Sequence, residues 1–353
     1  MLRKLLPSAI AIIACNASFA QDSTKSSSLS ITGSADVYYK YDFGKTKENT
    51  LTSFTGSHNS FALGMGSLKF DYRTGKVEMV ADLGFGKRAQ EFSYNDEGIL
   101  AAIKQLYISY SANSWLKLTA GSWATHVGYE LVDAYANRNY SMSYMFTNGP
   151  FFHTGVKADI AAGKSGFMIG VANPTDYKYV PEGFMNKKYL LAQYSFAASD
   201  LFKGYLNYVG GQGLDTSKSK QVDLVMTSQV SSKFSLAFDG TVASVSQYMG
   251  KDQFDSYKNW WGAAIYGSFD PSKHLGFTLR EEYFSDKHGL KYGGLAGDGS
   301  ILATTLSAQI KADNLILIPE FRLDAANKEI FTKSSGEASK TAANFLIAAV
   351  YSF

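Results

Sequence analysis

Hydrophobic and polar residues alternate along most of the chain. In residues 300–312, Leu302, Leu306 and Ile310 fall on one side of an extended segment, whereas Ser307 and Gln309 fall on the other. Because successive side chains of a β-strand point to opposite faces, this period of two predicts a strand with one apolar and one polar face. Residues 75–87 and 233–247 show the same split. The chain is therefore predicted to consist of two-faced β-strands.

Sixteen segments carry this alternation, and turn-forming Gly, Asn, Asp, Ser and Pro residues separate them. The predicted strands are 29–43, 60–73, 75–87, 103–111, 115–122, 151–162, 165–173, 187–198, 201–211, 219–230, 233–247, 258–270, 274–286, 300–312, 314–326 and 342–353. Their number is even, so every strand has a neighbour in an antiparallel meander.

Short and long connections alternate between these segments. The short ones lie at 74–75, 112–114, 163–164, 199–200, 231–232, 271–273 and 312–313. The long ones lie around 44–59, 88–102, 123–150, 174–186, 212–218, 248–257, 287–299 and 327–341. This arrangement predicts an all-β fold, a sixteen-stranded antiparallel transmembrane β-barrel with short periplasmic turns and long extracellular loops. A soluble β-sandwich also alternates, but it has no reason to sort its loops by length.

The first residues have the three parts of a secretory signal peptide. A basic pair is followed by an apolar stretch and then by small residues at Ser18 and Ala20. We expect residues 1–20 to be cleaved during export and residues 21–353 to form a single outer-membrane barrel domain. Lipidation of Cys15 is the alternative, because the residues before it resemble the box that precedes a lipidated cysteine.

Composition supports β structure and narrows the function. The chain has 23 Tyr, 24 Phe and 32 Gly but only 6 Pro, and its charged residues amount to 18%. Loss of two signal-peptide cations would lower the net charge from +3 to about +1, which argues against nucleic acid as a partner. The single cysteine would leave with the signal, and the five histidines stand singly. Neither a metal site nor a cofactor is therefore predicted.

The last predicted strand alternates Phe345, Ile347, Tyr351 and Phe353 with smaller residues. A soluble domain would expose such a strand as a sticky edge, whereas a closed barrel pairs its last strand with its first. The pattern resembles the C-terminal signature of bacterial outer-membrane barrels. We therefore expect Tyr351 and Phe353 to act as an assembly signature for the barrel assembly machinery.

A barrel of sixteen strands is wide enough to hold water, so its inward residues decide what passes. The inward charged residues assigned by parity are Asp36, Lys40, Asp42, Glu78, Asp82, Lys157, Asp159, Lys203, Asp223, Asp239, Arg280, Glu282, Glu320, Arg322 and Asp324. The last five are the densest group and are predicted to form a lumen selectivity patch. Mutually neutralising ion pairs are the alternative. Acidic residues exceed basic ones in this set, which predicts a preference for cations.

Residues 123–150 form the longest connection and are unusually aromatic for a loop in solvent. A long aromatic loop in a wide barrel can fold inward and narrow the pore. This loop follows the fifth predicted strand, the position of the inward loop in sixteen-stranded porins. Its polar residues His126, Glu130, Asp133 and Arg138 are predicted to form the pore constriction. Packing over the barrel rim is the alternative.

Several longer stretches match a known family. They are GSADVYYKY at 33–41, SFTGSHNSFALGMG at 53–66, ADLGFGKRAQEFSYND at 81–96, GSWATHVGYELVDAYANRNYSMSYMF and GPFFHTG within 119–155, IGVANPTDYK at 169–178, LREEYFSDK at 279–287, LIPEFRLD at 317–324 and the closing NFLIAAVYSF. Together these stretches resemble the beta-barrel porin-2 (BBP2) family of Gram-negative bacteria, common in the Bacteroidota. The resemblance implies an outer-membrane location and a pore, and supplies no substrate or site residue.

These observations predict an outer-membrane porin, a water-filled channel for passive diffusion of small hydrophilic solutes and ions, and not an enzyme. The predicted partners are outer-membrane lipids, the solutes and the assembly machinery, with a homo-oligomer left open. Two other classes also stay open. One is a closed or plugged structural or adhesion barrel, and the less favoured one is a lipid hydrolase that pairs a residue such as His153 with a strand serine.

Overall fold

The computed structural model describes residues 27–353. The predicted signal peptide, Cys15 and the predicted start of the mature chain at residue 21 lie outside the described residues. Sixteen strands, each antiparallel to its neighbours, form one closed barrel in chain order. The predicted fold class, a sixteen-stranded antiparallel barrel, is therefore confirmed.

The strands follow the predicted spans closely. The barrel strands are β1 (Ser28–Asp42), β2 (Ser60–Thr74), β3 (Val77–Phe85), β4 (Ile103–Ser111), β5 (Leu116–Ala124), β6 (Phe152–Ala162), β7 (Ser165–Ala172), β8 (Tyr189–Ser199), β9 (Phe202–Gln212), β10 (Lys218–Gln229), β11 (Phe234–Ser246), β14 (Lys258–Ser272), β15 (Leu275–Ser285), β16 (Ser300–Ala312), β17 (Leu315–Ala326) and β20 (Thr341–Ser352). Two hairpins outside the barrel wall are formed by β12 (Tyr248–Gly250) with β13 (Gln253–Phe254), and by β18 (Phe331–Thr332) with β19 (Ala338–Ser339).

The long connections contain short helical segments that the sequence pattern does not predict. They are α1 (Lys87–Phe92), α2 (Tyr144–Asn148) and the 3-10 turns Gly98–Ala102, Ala134–Ala136 and Gly293–Leu295. Each is too short to show a helical period of hydrophobic residues. None of the helices within residues 27–353 is long and apolar enough to span a membrane.

The barrel closes between its first and last strands. β1 pairs with β20 from Ser34 opposite Ser352 to Asp42 opposite Asn344. Beyond this ladder, Gly33 and Phe353 exchange two backbone hydrogen bonds of 3.0 and 2.9 Å. Closure removes the free edges that an open sheet of this length would expose.

The two faces of the wall differ as the alternation predicts. Leu302, Leu306 and Ile310 on the outside of β16 are about half exposed, whereas Ser307 and Gln309 on the inside are buried. An exposed apolar wall of this extent would be unstable in water and is matched to lipid. The short turns, such as the one at Gly75 with φ 55°, all lie at the opposite end of the barrel from the long loops.

The closing seam predicts a difference between two glycines on neighbouring strands. A Cβ atom on Gly33 would stand 2.7 Å from the Phe353 ring and 2.8 Å from the Ser67 carbonyl oxygen, whereas a Cβ atom on Gly66 would meet nothing within 4 Å. We expect Gly33→Ala to lower the free energy of unfolding by about 1–3 kcal/mol, because the strands must move apart.

Urea unfolding of protein folded into lipid vesicles, followed by tryptophan fluorescence, measures this effect. The matched control Gly66→Ala should leave the midpoint near that of the unmodified protein. Equal midpoints for the two variants would show that the seam is not tightly packed at Gly33.

Candidate functional site

A single loop, residues 125–151, leaves the wall between β5 and β6 and folds into the barrel. Its two ends lie side by side, since the Thr125 amide donates to the Phe151 carbonyl at 3.0 Å. No residue from 121 to 150 is exposed, and residues 139–146 are all buried. The aromatic composition of this segment is explained by its burial inside the lumen. We call residues 125–151 the lumen loop.

Three neighbouring strands hold the predicted selectivity patch in rows. In one row, Arg280 of β15 and Arg322 of β17 lie on either side of Thr305 of β16. In the next row, Glu282 and Asp324 lie on either side of Ala303. Glu320 lies beside Ser307, in the row on the opposite side of the arginine row. The β16 residues in these rows are Ala303, Thr305 and Ser307. Because these are small, they leave space above β16 that the lumen loop fills.

The two glutamates bind backbone amides of the loop. The Glu320 carboxylate accepts hydrogen bonds from the amides of Tyr140 at 2.8 Å and Ser141 at 3.1 Å. Glu282 accepts from Tyr144 at 2.8 Å and Met145 at 2.9 Å. This stretch of the loop is irregular, so its buried amides have few backbone partners and would be costly to leave unpaired. The wall carboxylates supply the missing acceptors.

The start of α2 explains why Glu282 serves two amides. The Ser143 side chain caps the helix by accepting from the Phe146 amide at 3.0 Å. The free amides of the first helical residues then point toward Glu282. A carboxylate at this end of a helix is stabilised by both the hydrogen bonds and the aligned peptide dipoles.

The two arginines bind carbonyl groups of the same stretch. Arg280 donates to the Ser141 carbonyl at 2.7 Å and forms a salt bridge of 2.5 Å with Glu130, itself a loop residue. Arg322 donates to the Met142 carbonyl at 2.7 Å. Acidic and basic wall residues thus bind opposite poles of the same loop backbone, and their charges compensate one another.

The five residues predicted as a selectivity patch therefore all contact residues 140–145 of the lumen loop. The fifth, Asp324, accepts from the Tyr144 hydroxyl at 2.9 Å and from Arg322 at 2.8 Å. All five residues are at most 4% exposed. Their contribution to ion selectivity stays a prediction, and the contacts they make are with protein.

A second pair of wall carboxylates holds the beginning of the loop. Asp223 of β10 accepts from the Gly128 amide and Asp239 of β11 accepts from the Tyr129 amide, each at 3.0 Å. Asn207 of β9 donates to Asp223 at 2.7 Å. Parity places both aspartates inside the barrel, but sequence reasoning does not connect them with the loop.

Tyr140 links the two sides of the barrel seam from within. Its hydroxyl donates to Asp36 of β1 at 2.5 Å, while its amide binds Glu320 of β17. The guanidinium of Arg88 from α1, fully buried, lies 4.7 Å from the Tyr140 ring centre and donates to the Val132 carbonyl at 3.1 Å. Arg88 is a loop-holding residue that the sequence does not reveal, because no alternation marks a residue on a short helix.

The four predicted constriction residues lie on different sides of the lumen and do not form a ring. Asp133 pairs with Lys104 of β4 at 2.5 Å, and Arg138 makes a double hydrogen bond to Asp270 of β14 at 2.7 and 2.6 Å. The His126 ring is 3.1 Å from the Tyr208 carbonyl of β9. Glu130 is buried in its salt bridge with Arg280. The other three are partly exposed.

The positions of Glu130 and Asp133 show how the loop divides the lumen. Glu130 is bound to β15 and Asp133 to β4, which stand nearly opposite one another in the ring of strands. Residues 130–133 therefore cross the lumen. On one side of this crossing, the inward residues of β16, β17, β20 and β1 at the level of the loop are buried. On the other side, Lys117, Lys157 and Gln193 of β5, β6 and β8 are partly exposed.

The extracellular end of the loop is covered by an aromatic cluster. Phe146 and Phe151 of the loop pack against Phe54 from the β1–β2 connection and Phe92 of α1, with ring centres 5.3 to 6.0 Å apart. All four are buried. Apolar packing therefore adds to the polar contacts that hold the loop in place.

The comparisons agree with this geometry. Residues 28–353 match the family described as "Putative beta-barrel porin-2, OmpL-like". The chain belongs to this family. The predictions of a porin and of an outer-membrane location are confirmed at this level, while the assignment to the Bacteroidota stays a prediction. None of the curated proteins matches this porin.

Solved structures share the architecture of this porin at low sequence identity. OmpT of Vibrio cholerae, an outer membrane protein, has a TM-score of 0.61 and 11% identity, covering 94% of this chain and 99% of its own. The outer membrane channel DcaP of Acinetobacter baumannii has a TM-score of 0.61 and 12% identity, covering 93% of this chain and 97% of its own. OprD of Pseudomonas aeruginosa, an outer membrane protein, has a TM-score of 0.51 and 12% identity, covering 92% of this chain and 93% of its own. At such identities the likeness establishes the fold alone.

The histidine considered for a lipid hydrolase lies inside this porin. His153 is buried on the inner side of β6, and its ring is 3.0 Å from the Thr125 hydroxyl. Among the described residues, no histidine ring is hydrogen-bonded to a serine hydroxyl. The geometry thus gives no support to a Ser-His pair on the lipid-facing wall, and the absence of enzymatic activity stays a prediction.

The contacts of Glu320 predict local protection of the loop. Glu320→Gln replaces one acceptor oxygen by an amino group that faces an amide donor. Since a hydrogen bond to a charged group contributes about 1.5–3 kcal/mol, we expect amide exchange of Tyr140 and Ser141 to become about tenfold to a hundredfold faster. Hydrogen exchange with mass spectrometry on peptides covering residues 139–146 measures this. Glu281→Gln, the same change on the lipid-facing side of β15, should leave those peptides unchanged.

The environment of His126 predicts a dependence on pH. Burial lowers the pKa of His126 to about 4, with a further lowering by Lys157. A released loop would bind a proton near the ordinary pKa of histidine, so docking is most stable above about pH 6.5 and weakens, by about 1–3 kcal/mol, as the pH falls toward 4. Exchange of the Val127 and Gly128 amides, corrected for intrinsic rates, should report this weakening. In His126→Gln the dependence should be smaller, and an unchanged dependence would assign it to another group.

Proposed function

We propose that this porin passes small hydrophilic solutes and ions by diffusion through the part of the lumen that the loop leaves open. This part lies between the first half of the loop and β5 to β9. The observation that supports it is the contrast in exposure between two walls at the level of the loop. Lys117, Lys157 and Gln193 of β5, β6 and β8 are partly exposed, whereas the inward residues of β16, β17 and β20 at that level are buried. Partly exposed polar side chains inside a barrel are in contact with water.

The wall of this passage has the chemistry that water and ions require. The Lys117 side chain is 40% exposed, and the Asp159 and Lys157 side chains are 27% and 12% exposed. Facing them, the loop presents partly exposed His126 and Tyr129. A lining of this kind replaces part of the hydration of a passing ion without binding it tightly, which is what conduction requires.

The predicted selectivity patch takes a different role in this proposal. Because Glu282, Glu320 and the two arginines bind the loop backbone, they would act on the passage by fixing the position of the loop. His126, Asp133 and Arg138 are the predicted constriction residues that remain partly accessible to solutes. Glu130 would be a positioning residue, since it is buried against Arg280.

Export and assembly complete the proposal. Residues 1–20 would be removed as a signal peptide, and residues 21–353 would assemble as one barrel in the outer membrane, surrounded by its lipids. Tyr351 and Phe353 are both about half exposed on the outer face, where the assembly machinery could bind them before the barrel closes. A homo-oligomer is also proposed. One structure of OmpT from Vibrio cholerae carries the words "trimer form" in its title, and native mass spectrometry of this porin would test the same state here.

A plugged barrel is the second candidate, and one observation favours it. The lumen loop contacts strands on all sides of the ring, including β1, β4, β9, β11, β14 and β17. A loop held on every side could block the lumen until it is displaced. Electrical recording separates the two candidates, because a plugged barrel conducts only after the loop is removed.

Deletion of residues 127–147 is the matching experiment. The remaining six residues, from Thr125 to Phe151, can close the hairpin, because the loop ends already lie side by side. We expect the single-channel conductance in a planar lipid bilayer to rise about twofold or more, since the loop no longer occupies the lumen. Deletion of residues 249–254 in the β12–β13 hairpin is the control. It removes loop residues that make no hydrogen bond to the lumen loop in the described structure, and it should leave conductance unchanged.

The three outcomes have different meanings. Steps from the full-length protein that grow in the deletion variant support a channel narrowed by the loop. Silence from the full-length protein with large steps from the deletion variant would favour the plugged barrel. Silence from both folded proteins would contradict a channel.

A further inference from the structure

We infer that the open lumen prefers anions, so that the solutes of this porin are small anionic molecules. This inference rests on the proposed function and names its substrate class. It depends on which charged side chains are exposed to a passing ion. Many side chains that face inward by parity are buried and are not exposed to it.

Several acidic residues of the wall bind the lumen loop and are not available to a passing ion. The buried carboxylates of Asp223, Asp239, Glu282 and Glu320 accept hydrogen bonds from the loop amides described above. All four lie out of water and are stabilised by the loop amides, and Glu282 also lies near the buried Arg280 and Arg322. They offer no site to a mobile cation.

The carboxylates that stay accessible are all held in ion pairs. Five acidic residues of the lumen and its loop are partly exposed on their inward side. Their pairs are Asp71 with Arg73 at 3.0 Å, Glu78 with Arg73 at 2.7 Å and with Lys117 at 2.5 Å, Asp133 with Lys104 at 2.5 Å, Asp159 with Lys157 at 3.2 Å, and Asp270 with Arg138 at 2.6 Å. Lys104 is shared with the buried Asp82 at 3.1 Å. Each accessible carboxylate therefore has at least one cationic partner.

Three inward lysines have no such partner. Lys69 of β2, Lys203 of β9 and Lys311 of β16 are partly exposed, and none forms a salt bridge or side-chain hydrogen bond with residues 27–353. Their parity matches that of inward neighbours such as Asn207 on β9 and Gln309 on β16. The accessible part of the lumen therefore carries excess positive charge.

These three lysines lie near the short turns, around the periplasmic half of the lumen. Lys203 is the second residue of β9, just after a short turn, and Lys311 is the next-to-last residue of β16, just before one. Lys69 lies on β2, a few residues before the next such turn. They stand on well-separated strands around the periplasmic half of the lumen. A low-dielectric wall concentrates the field of such charges in the water between them, which raises the local concentration of anions.

This inference reverses the preference for cations expected from counting all inward charges. The count includes Asp36, Glu282 and Glu320, which are buried beneath the loop. It also omits Lys69 and Lys311. The sign therefore depends on the burial produced by the loop, which the sequence alone does not show.

The test is the zero-current potential of the full mature porin in a planar bilayer with a tenfold gradient of potassium chloride. We expect chloride to permeate about twofold or more faster than potassium. The triple variant Lys69→Gln, Lys203→Gln and Lys311→Gln should bring the permeability ratio toward one, and the triple Lys→Arg variant should restore it. Replacement of the exposed extracellular lysines Lys45, Lys47 and Lys340 by Gln removes the same charge outside the lumen, and should leave the ratio unchanged.

Each result is decisive. A steady current with a preference for potassium would overturn this inference while leaving the channel itself established. An anion preference that survives the triple Gln variant would also overturn it, because the charge would come from elsewhere. Absence of any current would overturn the proposed function, and this inference with it.

Discussion

The hydrogen bonds between wall carboxylates and loop amides determine the interior of this barrel. A stretch of irregular backbone inside a lumen has polar groups that must be paired. Glu282 and Glu320 accept hydrogen bonds from four backbone amides within residues 140–145 of the loop. Arg280 and Arg322 donate to two backbone carbonyls of the same stretch. The loop depends on the wall for these hydrogen bonds, and the wall groups are buried because the loop covers them. The wall and the loop are therefore a single polar unit.

The regular geometry of the sheet makes this unit possible. Antiparallel register places charges from β15 and β17 in rows on both sides of β16, whose residues there are small. The spacing between alternate strands, roughly 10 Å for two strand separations, matches the width of an extended or helical segment lying between them. The loop thus rests in a trough with charged sides. On the opposite wall, Lys117, Lys157 and Gln193 remain partly exposed.

Much of this architecture could be predicted from the sequence, because strands and parity follow from a local period of two. The sixteen strands agree with their predicted spans to within about two residues. The aromatic content of residues 123–150 also indicates a loop that needs a packing surface. The partners of that loop could not be predicted. Arg138 meets Asp270, and Arg88 meets Tyr140, across sequence distances that no local pattern encodes. For the same reason, the sequence does not show that Glu130 and Asp133, three residues apart, bind opposite walls.

The two contacts of Tyr140 have a consequence for how the molecule matures. Its hydroxyl binds Asp36 of β1 and its amide binds Glu320 of β17, so this one residue bridges the two sides of the strand that completes the ring. Those two acceptors come into place only when the cylinder has closed. Insertion of the lumen loop is thus coupled to closure, and it acts as an internal latch. An incompletely closed barrel would leave the Tyr140 hydroxyl without its partner on β1, which distinguishes it from the finished protein.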